Sequence, residues 1–228
     1  MKKMILGILL SVGLTSCVVS DPYEPNPLNN SNISEYCYGV FEQDVKANVE
    51  CFYKIYYVAR FLQASAEEQV SAKYDNIRTG LRGDGNSYSF DSMNIAFTKD
   101  DPFTVGGIWK VKKNYSRGIT ITMTSENEWK IDAETDDVTI LLTLLSADDA
   151  GMKLNMELKG KWTEESSYSA RFRSESVDAE IVNKTPIALG ESYYSGVISY
   201  DFYENQSKVM DCDMTLRPGS TPIYNIRM

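Results

Sequence analysis

The chain has no histidine among its 228 residues. Imidazole is the usual general base of Ser-His-Asp and Cys-His nucleophiles and a common ligand of zinc and non-haem iron. Its absence excludes such sites as they are usually built, so any catalysis would rest on carboxylates, Tyr, Lys or Arg. The composition therefore favours a non-catalytic protein, and we expect neither a cofactor nor a bound metal.

Positive charge is also scarce. Lys and Arg number 23 against 32 Asp and Glu, which gives a net charge of −9 at pH 7. The only charged residues among the first sixteen are Lys2 and Lys3, so the remainder carries −11. Nucleic-acid binding needs a basic stripe, and anionic lipid headgroups attract basic segments. We predict no nucleic-acid partner and no charge-driven binding to a membrane surface.

Only one long apolar run occurs, and it lies at the start. Lys2 and Lys3 precede the run from Met4 to Leu14, which Leu14-Thr15-Ser16-Cys17 closes. The run is too short to span a bilayer, and the layout is that of a secretory signal peptide. The closing tetrapeptide resembles a bacterial lipobox, which implies cleavage after residue 16 and lipidation of Cys17. The alternative is an ordinary cleaved signal followed by a chance cysteine.

The rest of the sequence divides into a tether and one domain. Residues 17–32 are rich in Pro and Asn and have little apolar surface to bury, as in a polar linker. Residues 33–228 are predicted to form a single domain. This layout resembles that of small, uncharacterised lipoproteins of Gram-negative envelopes. It implies an outer-membrane lipid anchor and leaves open whether the domain faces the cell surface or the periplasm.

Cysteine is scarce as well. Besides Cys17, the chain contains Cys37, Cys51 and Cys212. With Cys17 lipidated, three cysteines remain, so at least one has no partner within the chain. A disulfide between Cys37 and Cys51, the nearest pair, is one prediction. Three buried apolar thiols are the favoured alternative.

Helical and strand periodicities succeed one another along the domain. Apolar residues at helical spacing predict a helix from about Phe41 to Gln63, and Ser65 and Glu68 have capping-box spacing before a second helix from Ala66 to about Tyr74. From about residue 87 onward, apolar and polar residues alternate between turn signals. The apolar residues of Val138–Leu145 fall on both sides, which predicts a central strand covered on both faces. The predicted fold class is α+β: an N-terminal helical hairpin (about 41–75) on a large antiparallel meander (about 87–228), curled into a sandwich or half-barrel.

Acidic residues form the first group of candidate site residues. Asp211 and Asp213 are spaced to point the same way on one strand, where paired carboxylates can hydrolyse a glycosidic bond or bind calcium. Further acidic residues cluster in two predicted turns: Asp132, Glu134, Asp136, Asp137, Asp148 and Asp149. Solvated loop and strand faces are the favoured interpretation of these clusters.

Aromatic residues form the second group. Trp109, next to two glycines, and Trp129, in a predicted hairpin, are the candidate stacking surfaces for a ligand. Burial in the core is the favoured alternative for most of the aromatic residues.

Three hypotheses on function follow. The favoured one is a non-catalytic envelope lipoprotein that binds a ligand, a glycan or a protein partner through its β-rich domain. The second is a carboxylate-dependent glycan hydrolase or a calcium-dependent carbohydrate-binding module. The third is a structural subunit that assembles by strand addition at Ile223–Met228.

Overall fold

The computed structural model describes residues 33–113, 118–133, 138–147, 151–161, 166–173, 180–183, 192–194, 196–217 and 220–227. The predicted signal peptide, Cys17 and the tether lie outside these residues. Within the described ranges, no helix combines the length and the apolar character that a membrane span requires.

One continuous helix of about 31 residues opens the domain. It comprises α1 (Ile33–Val40), a π-helical segment (Phe41–Lys46) and α2 (Ala47–Gln63). It begins at Ile33, eight residues before the predicted start. Gly39 lowers the helix propensity of this first part, but the apolar side chains around it recur at helical spacing and are buried. Tertiary burial therefore extends the helix beyond the predicted boundary.

Short helices follow instead of a second long one. They are α3 (Ala66–Gln69), a 3-10 turn (Ala72–Tyr74) and α4 (Asp75–Gly80). The Ser65 hydroxyl accepts a hydrogen bond from the Glu68 amide, which confirms the predicted cap. The helical hairpin is thus one long helix with a broken second arm, which turns back so that Tyr74 meets Phe61 at 5.4 Å between ring centroids.

The described residues form fourteen strands in a single antiparallel sheet. They are β1 (Arg82–Asp84), β2 (Ser87–Phe90), β3 (Met93–Phe97), β4 (Ile108–Lys113), β5 (Gly118–Ser125), β6 (Glu128–Ala133), β7 (Thr139–Ala147), β8 (Gly151–Lys161), β9 (Ser166–Arg173), β10 (Glu180–Asn183), β11 (Ser192–Tyr194), β12 (Gly196–Glu204), β13 (Ser207–Leu216) and β14 (Ile223–Arg227).

The sheet is a meander with one excursion. Strands β1 to β9 pair in chain order, and β12, β13 and β14 continue the same path. Strand β10 leaves that path to pair with β8 and β11. The large antiparallel sheet and the α+β class are as predicted.

The long helix lies across the strands on one face of the sheet. Near its start, Tyr36 meets Phe202 of β12 at 5.6 Å between ring centroids, and near its middle Phe52 stacks on Trp109 of β4 at 6.0 Å. These two helix positions are about 24 Å apart along the axis. Strands β12 and β4 are six inter-strand spacings apart, about 29 Å. The buried face of the helix therefore crosses the sheet from β12 to β4.

Strand β7 is covered on one face only. Its inward residues Ile140, Leu142 and Leu144 are buried, whereas Leu141 is 49% and Leu145 is 43% exposed. The prediction of a strand covered on both faces is wrong, because the described residues provide a single helical layer and it lies on the other side of the sheet. Leu141 and Leu145 are apolar residues on a solvent face.

Candidate functional site

The two predicted carboxylates lie together on the solvent side of β13. Alternation along this strand buries Cys212 and leaves Asp211 and Asp213 half-buried on the opposite face. Antiparallel pairing places Asp201 of β12 opposite Asp211 on one side and Arg227 of β14 opposite Asp211 on the other. Three neighbouring strands thus bring their charged residues to one place, the ionic cluster of β12–β14.

Two cations hold the carboxylates of this cluster. Lys208 Nζ lies 2.6 Å from Asp201 Oδ1 and 3.0 Å from Asp211 Oδ2. The Arg227 guanidinium contacts Asp211 through Nε and lies 2.9 Å from Asp213 Oδ2 through Nη1. The hydrogen bond from Lys208, and then that from Arg227, holds the pKa of Asp211 below its ordinary value. Asp211 is therefore an ionised, fully engaged carboxylate near neutral pH.

This geometry does not favour hydrolysis or calcium binding. The general acid of a glycosidase needs a carboxyl group with a raised pKa, whereas that of Asp211 is lowered. Calcium needs several carboxylate or carbonyl oxygens directed at one point. Among the described residues, no group of three or more His, Cys, Asp or Glu is placed to hold a metal ion. The cluster is suited to cross-strand stabilisation.

The remaining predicted acidic residues do not extend this cluster. Asp132 lies on β6, where its Oδ1 is 2.9 Å from Lys130 Nζ on the same strand. The others lie outside the described residues: Glu134, Asp136, Asp137, Asp148 and Asp149.

Trp109 and Trp129 are core residues. They are 1% and 2% exposed, and their rings lie 6.0 and 5.1 Å from the ring of Phe52. Trp109 Nε1 donates a hydrogen bond of 2.7 Å to the carbonyl oxygen of Pro102. The prediction that these two residues present a stacking face to a ligand is corrected, because the long helix covers the strands that carry them.

The predicted Cys37–Cys51 disulfide is also corrected. The two residues lie on one continuous helix, 14 residues apart, which corresponds to about 21 Å along the axis. A disulfide requires Cα atoms closer than about 7 Å. All three described cysteines are buried, and none of them is in a disulfide in the structure. The neighbour of the Cys37 thiol is Cys212 of β13, a pairing that spacing along the sequence did not reveal.

Strand β14 forms one edge of the sheet. Its residues Ile223–Arg227 pair with β13, and no other described strand pairs with them. Tyr224 and Ile226 are half-buried toward the helix side, whereas Ile223 is 53% exposed. The opposite edge is β1, which has three residues. Strand β14 is thus the longer of the two end strands of the sheet path.

Comparison with protein-family models, with curated proteins and with solved structures finds no match to this chain.

Proposed function

We propose that this protein is a non-catalytic envelope lipoprotein, anchored through Cys17, whose domain binds a protein partner by strand addition at β14. The observation that carries the binding role is the edge position of β14. Alternate residues of an edge strand direct their backbone N–H and C=O groups away from the sheet, where an incoming strand can bond to them.

The composition of β14 supports this role. Sheet edges in soluble proteins are commonly protected by lysines, prolines, bulges or very short strands. Strand β14 contains one charged residue, Arg227, and Asp211 and Asp213 engage its guanidinium. Ile223 is an exposed apolar residue at the start of the strand. Since no other described strand pairs with β14, an incoming strand would meet an apolar side chain and backbone hydrogen-bonding groups rather than an unpaired charge.

A catalytic role is less well supported. The sequence has no histidine, and the carboxylates of the ionic cluster are paired with cations. The alternative of a glycan hydrolase or calcium-dependent carbohydrate module keeps a direct test in Asp211→Asn and Asp213→Asn, made separately. Unchanged glycan turnover and unchanged calcium affinity in both variants would remove this site from consideration.

Strand addition is tested by site-specific photocrosslinking in cells. A photoreactive amino acid at position 223 lies on the edge strand, whereas the same residue at 145 lies on a solvent face inside the sheet. Both native side chains, Ile223 and Leu145, are exposed and apolar, so neither replacement disturbs the core. We expect a discrete protein adduct from position 223 and none from 145. Equal adducts from both positions, or none from 223, would contradict the proposal.

The anchor is tested separately. Replacement of Cys17 by Ser removes the only thiol that the lipobox resemblance assigns to acylation. We expect the variant to lose incorporation of labelled palmitate and to leave the membrane fraction, because stable anchoring needs two or more acyl chains. Protease treatment of intact cells then distinguishes the two faces: cleavage of the wild-type domain indicates the cell surface, and protection until permeabilisation indicates the periplasm.

A further inference from the structure

Two thiols from opposite ends of the domain meet in the core. Cys37 belongs to α1 and Cys212 to β13, and each is 0% exposed. The two thiol groups are neighbours in the core. They are separated by 175 residues of sequence, and contact follows from the packing of α1 on β13.

A tyrosine fixes the helix above this part of the sheet. Tyr200 of β12 is directly opposite Cys212 in the strand register. Its hydroxyl donates a hydrogen bond of 3.0 Å to the carbonyl oxygen of Cys37. Tyr200 thus lies beside Cys212 on the sheet and donates a hydrogen bond to the backbone of Cys37 on the helix. Because the phenol is wholly buried, this contact replaces water as its hydrogen-bond partner.

We propose that Cys37 and Cys212 form a disulfide when the chain folds in an oxidising compartment. The oxidant is a disulfide, either a protein thiol–disulfide exchanger or oxidised glutathione. One cysteine thiolate attacks it to give a mixed disulfide and releases one thiolate. The second cysteine thiolate then attacks the protein sulfur of the mixed disulfide, which forms the Cys37–Cys212 bond and releases the second thiolate of the oxidant. The two cysteines lose two electrons and two protons in total, and the oxidant becomes two thiols.

The third cysteine is a matched internal control. Cys51 is as buried as the other two but lies about 21 Å further along the helix than Cys37. Because Cys212 contacts Cys37, the same separation also keeps Cys51 away from Cys212. The proposal therefore specifies one of three possible pairings and leaves Cys51 as a thiol.

The pairing is tested first in vitro, which does not depend on the envelope location. The full chain carrying Cys17→Ser has three thiols, and it is refolded in a glutathione redox buffer, unfolded without reductant, alkylated and mapped by mass spectrometry. We expect Cys51 to be alkylated and a peptide containing the Cys37–Cys212 bond to be recovered. The bond should persist in Cys51→Ser and be absent from Cys37→Ser. Alkylation of all three thiols, or a bond to Cys51, would overturn the proposal.

A stability measurement accompanies the mapping. The oxidised chain should unfold at a urea concentration higher by on the order of 1 M than the reduced chain, because the bond closes a very long loop. The chain with Cys37→Ser should show one midpoint with and without reductant. Equal midpoints for the oxidised and reduced parent chain would contradict the expected cross-link between α1 and β13.

The same mapping on the lipidated protein extracted from cells tests whether the disulfide forms in its own compartment. This part of the inference rests on the proposed envelope location. Thiols are blocked during extraction, and membrane fractions are separated before analysis. Recovery of the bond from the envelope fraction supports both proposals. A reduced pair in an envelope protein overturns the disulfide in cells, whereas a protein found in the cytoplasm overturns the location and leaves the in vitro result standing.

Discussion

The two buried tryptophans provide a matched pair of substitutions, Trp109→Phe and Trp129→Phe. Both indoles are almost fully buried against Phe52, so the loss of ring volume is similar. They differ in one hydrogen bond: Trp109 Nε1 donates to Pro102, whereas Trp129 Nε1 meets no acceptor among the described residues. A difference in stability between the variants therefore reports on that bond.

The lost packing should cost on the order of 2 kcal/mol of unfolding free energy in either variant. In Trp109→Phe the buried carbonyl of Pro102 also loses its donor, which adds about 1–3 kcal/mol. In Trp129→Phe the change removes an N–H group that is buried without a described acceptor, which offsets part of the packing loss. We expect Trp109→Phe to be the less stable variant by about 2 kcal/mol.

The assay is urea unfolding followed by far-UV circular dichroism, since tryptophan fluorescence changes with the substitutions themselves. Free energies are compared by linear extrapolation, with unchanged slopes as the check that both variants unfold as the parent does. Equal stability, or a less stable Trp129→Phe, would refute the assignment of the hydrogen bond. Wild-type stability in both variants would refute the placement of these side chains in the core.

The remaining predictions concern the solvent face of the sheet. Asp211→Asn should lower the free energy of unfolding near neutral pH, and the difference from wild type should shrink as acid protonates Asp211. The reason is that Lys208 and Arg227 depress the pKa of Asp211 in the folded state. The stabilisation from ionised Asp211 is therefore fully present above the unfolded-state pKa of about 3.9, and it is lost as the pH falls through the lower folded-state pKa. A difference that grows in acid, in a pH series of urea titrations, would contradict this sign. Leu141→Lys should change stability by less than about 0.5 kcal/mol, whereas Leu142→Lys, one residue further on, should prevent folding, because only Leu142 faces the core. Circular dichroism of both purified variants tests this, and equal effects would contradict the assigned faces of β7.

The coarse fold could be predicted because local periodicity reports on burial. The long helix and the alternation of β13 are visible in the sequence, and so is the cap at Ser65. The start of the helix was harder to predict, because Gly39 lowers the helix propensity of this part of the sequence. Burial of Ile33 and Cys37 outweighs that low propensity in the folded domain. The two leucines of β7 were misassigned for a related reason: an apolar side chain does not by itself indicate which face of a sheet is covered.

The candidate site depended on strand order, which a single sequence does not reveal. Alternation along β13 placed Asp211 and Asp213 on one face, but their cationic neighbour Arg227 comes from β14 and is known only from the register. The contact between Cys37 and Cys212 could not be predicted for the same reason. Cys212 falls on the buried side of its strand and Cys37 on the apolar side of the helix, yet contact between them requires α1 to cross the end of the sheet.

The covering of α1 by β12 and β13 has a consequence for the order of folding. The helix is synthesised first, whereas the strands that bury its first turns lie in residues 196–216. Contacts between such distant parts of a chain form slowly, since a long loop must close before they stabilise anything. The apolar side of α1 therefore stays without its final cover until almost the whole chain has been made. A chain of this design can complete its core only after its last strands have been made, so a truncated chain that ends before β12 would leave the apolar side of α1 without its cover.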